Sequence, residues 1–141
     1  MNTRTTIPER PRRRLGRSIG AVLLGLIAVM VLSTVTDVVM HASGVFPPWF
    51  QPMSTGLWLF ALAYRTLYTV LGGYLTARYA PHRPMAHAWT LGLVGTVFGI
   101  AGVVATWGRG PEFGPAWYPI LVALTGLPGC LIGGLLYARR R

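Results

Sequence analysis

The chain has 141 residues, of which 52% are hydrophobic and only 11% charged, and it carries a formal net charge of +10. Soluble domains hold about 25% charged residues, so this balance excludes an ordinary water-soluble fold and points to a membrane protein built as one compact unit. All basic residues are Arg and most sit beside apolar runs, which assigns them to topology and anionic lipid headgroups and not to nucleic acid; the single Cys130 allows no intrachain disulfide.

In chain order, residues 1–17 are polar and Arg-rich, with Pro8 and Pro11, and read as a disordered cytoplasmic tail ahead of a transmembrane domain over residues 18–141. The first helix is expected over residues 18–43. It is too long for a signal-peptide core, and no A-x-A site follows it, so an uncleaved span is expected. Residues 44–56, GVFPPWFQPMSTG, hold three prolines and no basic residue and form an outer loop. A second helix is expected over residues 57–79, interrupted by Arg65, and then APHRPM makes a short Pro-bounded turn. A third helix over residues 88–107 has no charge, GRGPEFGP forms a second outer loop, and a fourth helix covers residues 116–138. Pro119 lies near its start, where proline is tolerated, and Pro128 should kink it by freeing the Leu124 carbonyl. Each span can cross a hydrocarbon core of about 30 Å.

The fold class is therefore an all-α, four-transmembrane-helix bundle in up-down order. Arg4, Arg10, Arg12, Arg13, Arg14 and Arg17, the turn residues Arg78 and Arg83, and the final Arg139-Arg140-Arg141 fall on one side; Arg109, offset by Glu112, falls on the other. The positive-inside rule places both termini in the cytoplasm. Arg without Lys, alongside much Gly, Ala and Pro, suggests a bacterial genome and hence the cytoplasmic (inner) membrane. Trp49, Trp58, Trp107, Trp117 and Tyr118 suit the outer interface, and Tyr79, Trp89 and Tyr137 the inner one. LGGYLTAR at 71–78 matches IGGLLYAR at 132–139 at five of eight positions, and FPPW in the first outer loop echoes FGPAW in the second. Two duplicated helical hairpins would produce both features.

The polar residues at membrane depth are the candidate site. Asp37 and Arg65 should lie about 9 and 12 Å beneath the outer ends of neighbouring antiparallel helices, at the helical rise. Each charge alone would cost about 2.5–3.5 kcal/mol in the bilayer centre, so they are expected to pair. Ser33, Asp37 and His41 share one stripe of the first helix, with Thr34 beside it; Arg65 and Thr69 share a stripe of the second, flanked by Tyr64 and Tyr68. The cluster expected to bind is Asp37, His41, Arg65, Ser33, Thr34, Tyr68 and Thr69. A register-fixing ion pair and a small polar cavity both fit it. No catalytic or metal set emerges. Asp37 lies between Ser33 and His41 in a spacing that fits no triad, and Asp37 with His41 lacks the further ligands zinc needs. No cofactor is expected. Gly92, Gly95, Gly99 and Gly102 on the third helix, and Gly126, Gly129 and Gly133 on the fourth, read as close-packing faces within the bundle or as a homo-oligomer seam. The Gly72-Gly73 and Gly133-Gly134 pairs fit flexible points equally well.

With HASGVFPPW, AYRTLYTVLGGYLTARYAPHRPMAHA and ATWGRGPEFGPAWYP, the chain resembles a group of small uncharacterised bacterial membrane proteins of four predicted helices, over most of residues 18–138. The resemblance implies fold and location only. The expectation for function is a noncatalytic inner-membrane protein that accommodates a small ligand or assists a larger membrane complex. The alternatives are an oligomeric transporter or channel subunit, and a membrane enzyme using Asp37 and His41. The expected partners are the bilayer, anionic headgroups, and a second copy or a membrane protein.

Overall fold

A computed structural model of the protein describes residues 11–141, with side chains from Arg14 onward. Its four α-helices are α1 (Pro11–Ala42), α2 (Thr55–Tyr79), α3 (Pro84–Thr106) and α4 (Trp117–Arg139), with a short 3-10 turn at Pro111–Phe113. α1 begins at Pro11, so the expected disordered tail is helical over residues 11–17, and residues 1–10 lie outside the described part. Proline at the first helical position lacks only an N–H that would have no intrahelical partner there anyway. α3 likewise begins earlier than expected, at Pro84, after Arg83 takes a left-handed backbone (φ 43°) that turns the chain between α2 and α3. Ser54 caps α2 by accepting a hydrogen bond from the Leu57 N–H at 3.4 Å. α4 passes through Pro128 as one continuous element.

α2 and α4 form the central pair; α1 packs chiefly on α2, and α3 on α4 with a smaller contact to α2. The crossings use glycine where backbones meet. A Cβ at Gly72 would strike Val29 and the Gly25 carbonyl of α1, and one at Gly73 would overlap the Cys130 backbone of α4. One at Gly133 would overlap the Val70 carbonyl and Tyr74 nitrogen of α2. These glycine pairs are thus crossing points, packed too closely to serve as hinges. On α3, Gly99 lies against Ala123, where an added Cβ would sit 2.7 Å from the Ala123 Cβ, and Gly92 lies against Leu127. Gly129 lies against Thr69. A Cβ at Gly95 or Gly102 would meet no atom within 4 Å, so the expected packing role does not hold for these two within the chain, whereas Gly126 is buried.

The repeated octapeptides do not occupy equivalent environments. Gly72 faces α1 and Gly73 faces α4, whereas Gly133 faces α2 and Gly134 faces Ala88 and Met85 of α3. The residues that bind the α2–α4 pair together come from opposite positions of the two motifs.

The interior is made mainly of small side chains, with Leu91, Phe46 and Tyr64 as the larger exceptions, and the surface carries large apolar ones. Ala21, Ala61, Ala77, Ala88, Thr76 and Cys130 are buried, while Val97, Val104 and Leu124 are 68%, 72% and 64% exposed. α1, α3 and the segment ending in α4 are long and apolar enough to cross a membrane, over Arg14–Ala42, Pro84–Thr106 and Pro111–Arg139. α2 is not among them, although the sequence reading made it a span like the others. It carries Arg65 and a series of Tyr and Thr side chains, and it is one of the two central helices of the bundle.

Candidate ligand-binding site

At the end of the bundle that bears the two long loops, α1 and α2 are joined by side chains. The Asp37 carboxylate accepts hydrogen bonds from the Arg65 Nη2 and from the Tyr64 hydroxyl, one on each oxygen. The expected Asp37–Arg65 pair is therefore formed, with Tyr64 as a third member. An ionised acceptor makes both hydrogen bonds stronger than neutral ones. One turn along α2, the Tyr68 hydroxyl bonds the Thr36 Oγ1 at 2.8 Å. Tyr64 and Tyr68 are four residues apart, so they share a face and both reach α1. The Arg65 Nε is buried and has no acceptor among the described residues, an omission that typically costs about 1–3 kcal/mol.

Other members of the expected cluster divide. Ser33 is buried within α1, as its stripe required, but Thr34 points outward and Thr36 takes the contact with α2. Thr69 turns to α4, where it touches Gly129 and donates to the Thr66 carbonyl at 2.7 Å. Thr66 in turn reaches Thr125 of α4 at 3.4 Å. His41 does not approach the Asp37 carboxylate through its ring nitrogen. Its Nδ1 lies 2.7 Å from the Asp37 backbone carbonyl, and since a carbonyl only accepts, Nδ1 carries the proton. The ring stacks on Trp49 at 3.6 Å with 6° between planes, and meets Phe46 edge-on at 5.3 Å. Among the described residues no three His, Cys, Asp or Glu side chains gather in a metal-holding group.

The first long loop folds back over this ionic cluster. Gly44 adopts a positive φ of 76°, and the Phe46 N–H donates to the Met40 carbonyl at 2.9 Å. Phe46 thereby drops into a buried cluster with Ala61 and Tyr64. Farther along, Phe50 is held at φ 64° and is 78% exposed; a bulky residue in this region of the backbone map is strained. The second long loop arrives from the other side. Its Gly110 and Gly114 have φ of 110° and 90°, and Gly114 packs on the Trp58 ring, which contacts Tyr118 at 4.6 Å.

Between the loops lies a half-open cavity of about 200 Å³. Asp37, His41 and Arg65 border it, with Trp49, Phe50 and Gln51 from the first loop and Glu112 and Phe113 from the second. Tyr118 faces Arg65 from α4 across the same space. In the sequence Glu112 counts only as an offset to the charge of Arg109. No ion pair joins them in the structure: the Arg109 guanidinium lies 5.9 Å from the Phe113 ring, and Glu112 borders the cavity with its carboxylate folded beside Gly110. The reading also left Trp49, Trp58 and Tyr118 as interfacial anchors. Both loops carry the Phe–Pro–Trp echo noted above, and that echo is the sequence signal that accompanies their meeting at one cavity.

No protein-family model, curated protein or solved structure matches the chain.

Proposed function

We propose that the protein is a four-span integral membrane protein of the bacterial cytoplasmic membrane, with both termini cytoplasmic, and that it accommodates a small ligand in the cavity between its two outer loops without catalysing a reaction. The cavity carries the reading. It is a concave, aromatic-walled space with a few fixed polar groups at its floor, the usual make-up of a small-molecule site. Large apolar side chains on the outside and small ones inside support lipid as the surrounding medium. α2 then crosses as the shielded helix, with Arg65 neutralised by Asp37 and its hydroxyls turned toward α1 and α4. The Arg-rich ends and the α2–α3 turn support the orientation. His41 is bonded to a backbone carbonyl and stacked on Trp49, which gives it the role of a wall more than that of a proton carrier.

Two measurements test this. Cys130 is buried, so cysteines placed at Gln51 and at Arg141 can be read against it. An impermeant maleimide added to intact cells should label Gln51→Cys and spare Arg141→Cys; the reverse pattern would overturn the orientation. Trp49 and Trp58 wall the cavity, so occupancy should move tryptophan emission. A panel of small cations, anions and neutral solutes should include at least one that does so saturably in the wild type and not in Ala61→Phe, which fills the floor. Silence across the panel would overturn the ligand reading.

A second reading, an oligomeric transporter subunit, draws on Gly95 and Gly102, which lie open on α3 beside no element of the same chain. Cysteine cross-linking between copies at Val97 and Val104 would favour it.

A further inference from the structure

We infer that the ligand of this cavity is a small organic cation, an alkylated ammonium, held by the Glu112 carboxylate and the surrounding aromatic faces. The inference rests on the reading of the cavity as a ligand site, and deepens it through charge and wall chemistry.

The cavity's charges are two carboxylates, Asp37 and Glu112, against the single guanidinium of Arg65. Asp37 is already satisfied, by Arg65 on one oxygen and by Tyr64 on the other. Glu112 is not: it makes no ion pair or side-chain hydrogen bond among the described residues, and its neighbour Arg109 is turned to Phe113. The uncompensated charge bordering the cavity is therefore negative. An anionic ligand would have to take Arg65 from Asp37 and sit beside Glu112. A hard metal ion would need six or more oxygen ligands, which these walls do not supply.

The walls supply aromatic rings. Phe46, Trp49, Phe50, Trp58, Phe113 and Tyr118 all line the space. Ring faces attract a cation through their quadrupole, most strongly for Trp, and do so without asking it for hydrogen bonds. An alkylated ammonium combines a diffuse positive charge with an apolar skin, and so matches both features. The cavity of about 200 Å³ has room for several waters. That suits tetramethyl- or tetraethylammonium, and the half-open mouth leaves room for a longer chain. The same chemistry is present on a phospholipid headgroup, and the cavity lies where the outer interface is proposed to be.

The test uses the full chain in nanodiscs of phosphatidylglycerol alone, titrated with tetraethylammonium and with inorganic phosphate, and followed by tryptophan emission and calorimetry. Tetraethylammonium should bind saturably and phosphate should not. Glu112→Gln, on a loop and without a structural partner, should weaken binding tenfold or more, and Trp58→Leu about fivefold, while Arg109→Gln leaves it unchanged. Equal affinity in the wild type and in Glu112→Gln would overturn the inference. So would a response to phosphate or to a neutral solute with none to tetraethylammonium, although that result would leave the ligand site standing. No response to any solute would remove both. Where tetraethylammonium binds, repeating the titration with phosphatidylethanolamine or phosphatidylcholine in the disc separates the sources. Competition by those lipids assigns the site to a headgroup ammonium, and its absence to a free cation.

Discussion

The two halves of this bundle are held together in different ways. Near the α2–α3 turn, backbone lies on backbone: Gly72 meets Gly25, Gly73 meets Cys130, and the Thr76 hydroxyl donates directly to the Ala21 carbonyl at 3.2 Å. Near the long loops α1 and α2 are joined by long side chains instead, Arg65 and Tyr64 to Asp37 and Tyr68 to Thr36, while α3 still meets α4 closely at Gly99 and Ala123. Close approach leaves no room for a ligand. Bridging by side chains leaves a cavity and polar groups to line it. The contrast teaches that the polar groups and the cavity collect where α1 and α2 are joined by side chains and not by backbone.

That contrast can be broken most severely from the tightly packed side. Gly133→Val puts branched carbons onto the α2 backbone, and should cost about 3 kcal/mol or more, read as loss of folded protein in mild detergent. On the bridged side, Asp37→Ala or Arg65→Ala strands one charge. Removing one partner of a buried pair costs about 3–5 kcal/mol, and with the Arg65 side chain 32% exposed a loss of about 2 kcal/mol is expected. The double variant should recover part of it, and strictly additive losses in a denaturation cycle would show that the pair is not coupled. Tyr64→Phe removes a bond to a charged acceptor and should cost about 1.5 kcal/mol, against about 1 kcal/mol or less for Tyr68→Phe, whose partner is the neutral Thr36. Equal effects would mean that the carboxylate contact adds nothing. Smallest of all, Phe50→Gly relieves a left-handed backbone worth about 1–2 kcal/mol of strain, offset by about 0.5–1 kcal/mol of glycine entropy. The melting temperature should hold or rise slightly while ligand binding weakens.

Four helices, their order and the Asp37–Arg65 contact follow from run lengths, loop positions and the helical rise, because these depend on one chain coordinate at a time. What the sequence could not supply was rotation about each helix axis relative to its neighbours. Thr34 and Thr36 flank Asp37 on opposite sides, and only the placement of α2 selects Thr36. Thr69 shares a stripe with Arg65, yet Gly129 opens a space that draws it toward α4. A lone Gly25 in an apolar run carries no pattern, although it is the point where α1 meets Gly72. Glu112 looked like a counter-charge to Arg109 because the two are close in sequence; the positive φ values at Gly110 and Gly114 turn the loop so that they part.

The polarity of α2 bears on how such a chain is made. In the proposed membrane arrangement, α1 can leave the insertion machinery unaided, whereas a ribosome that has just delivered α2 presents a segment with an arginine at mid-span and apolar content below that of the other three. α2 gains a favourable route into lipid when Asp37 is already waiting beside it, so the first two helices should enter as one hairpin, and synthesis of α1 sets the schedule for everything that follows.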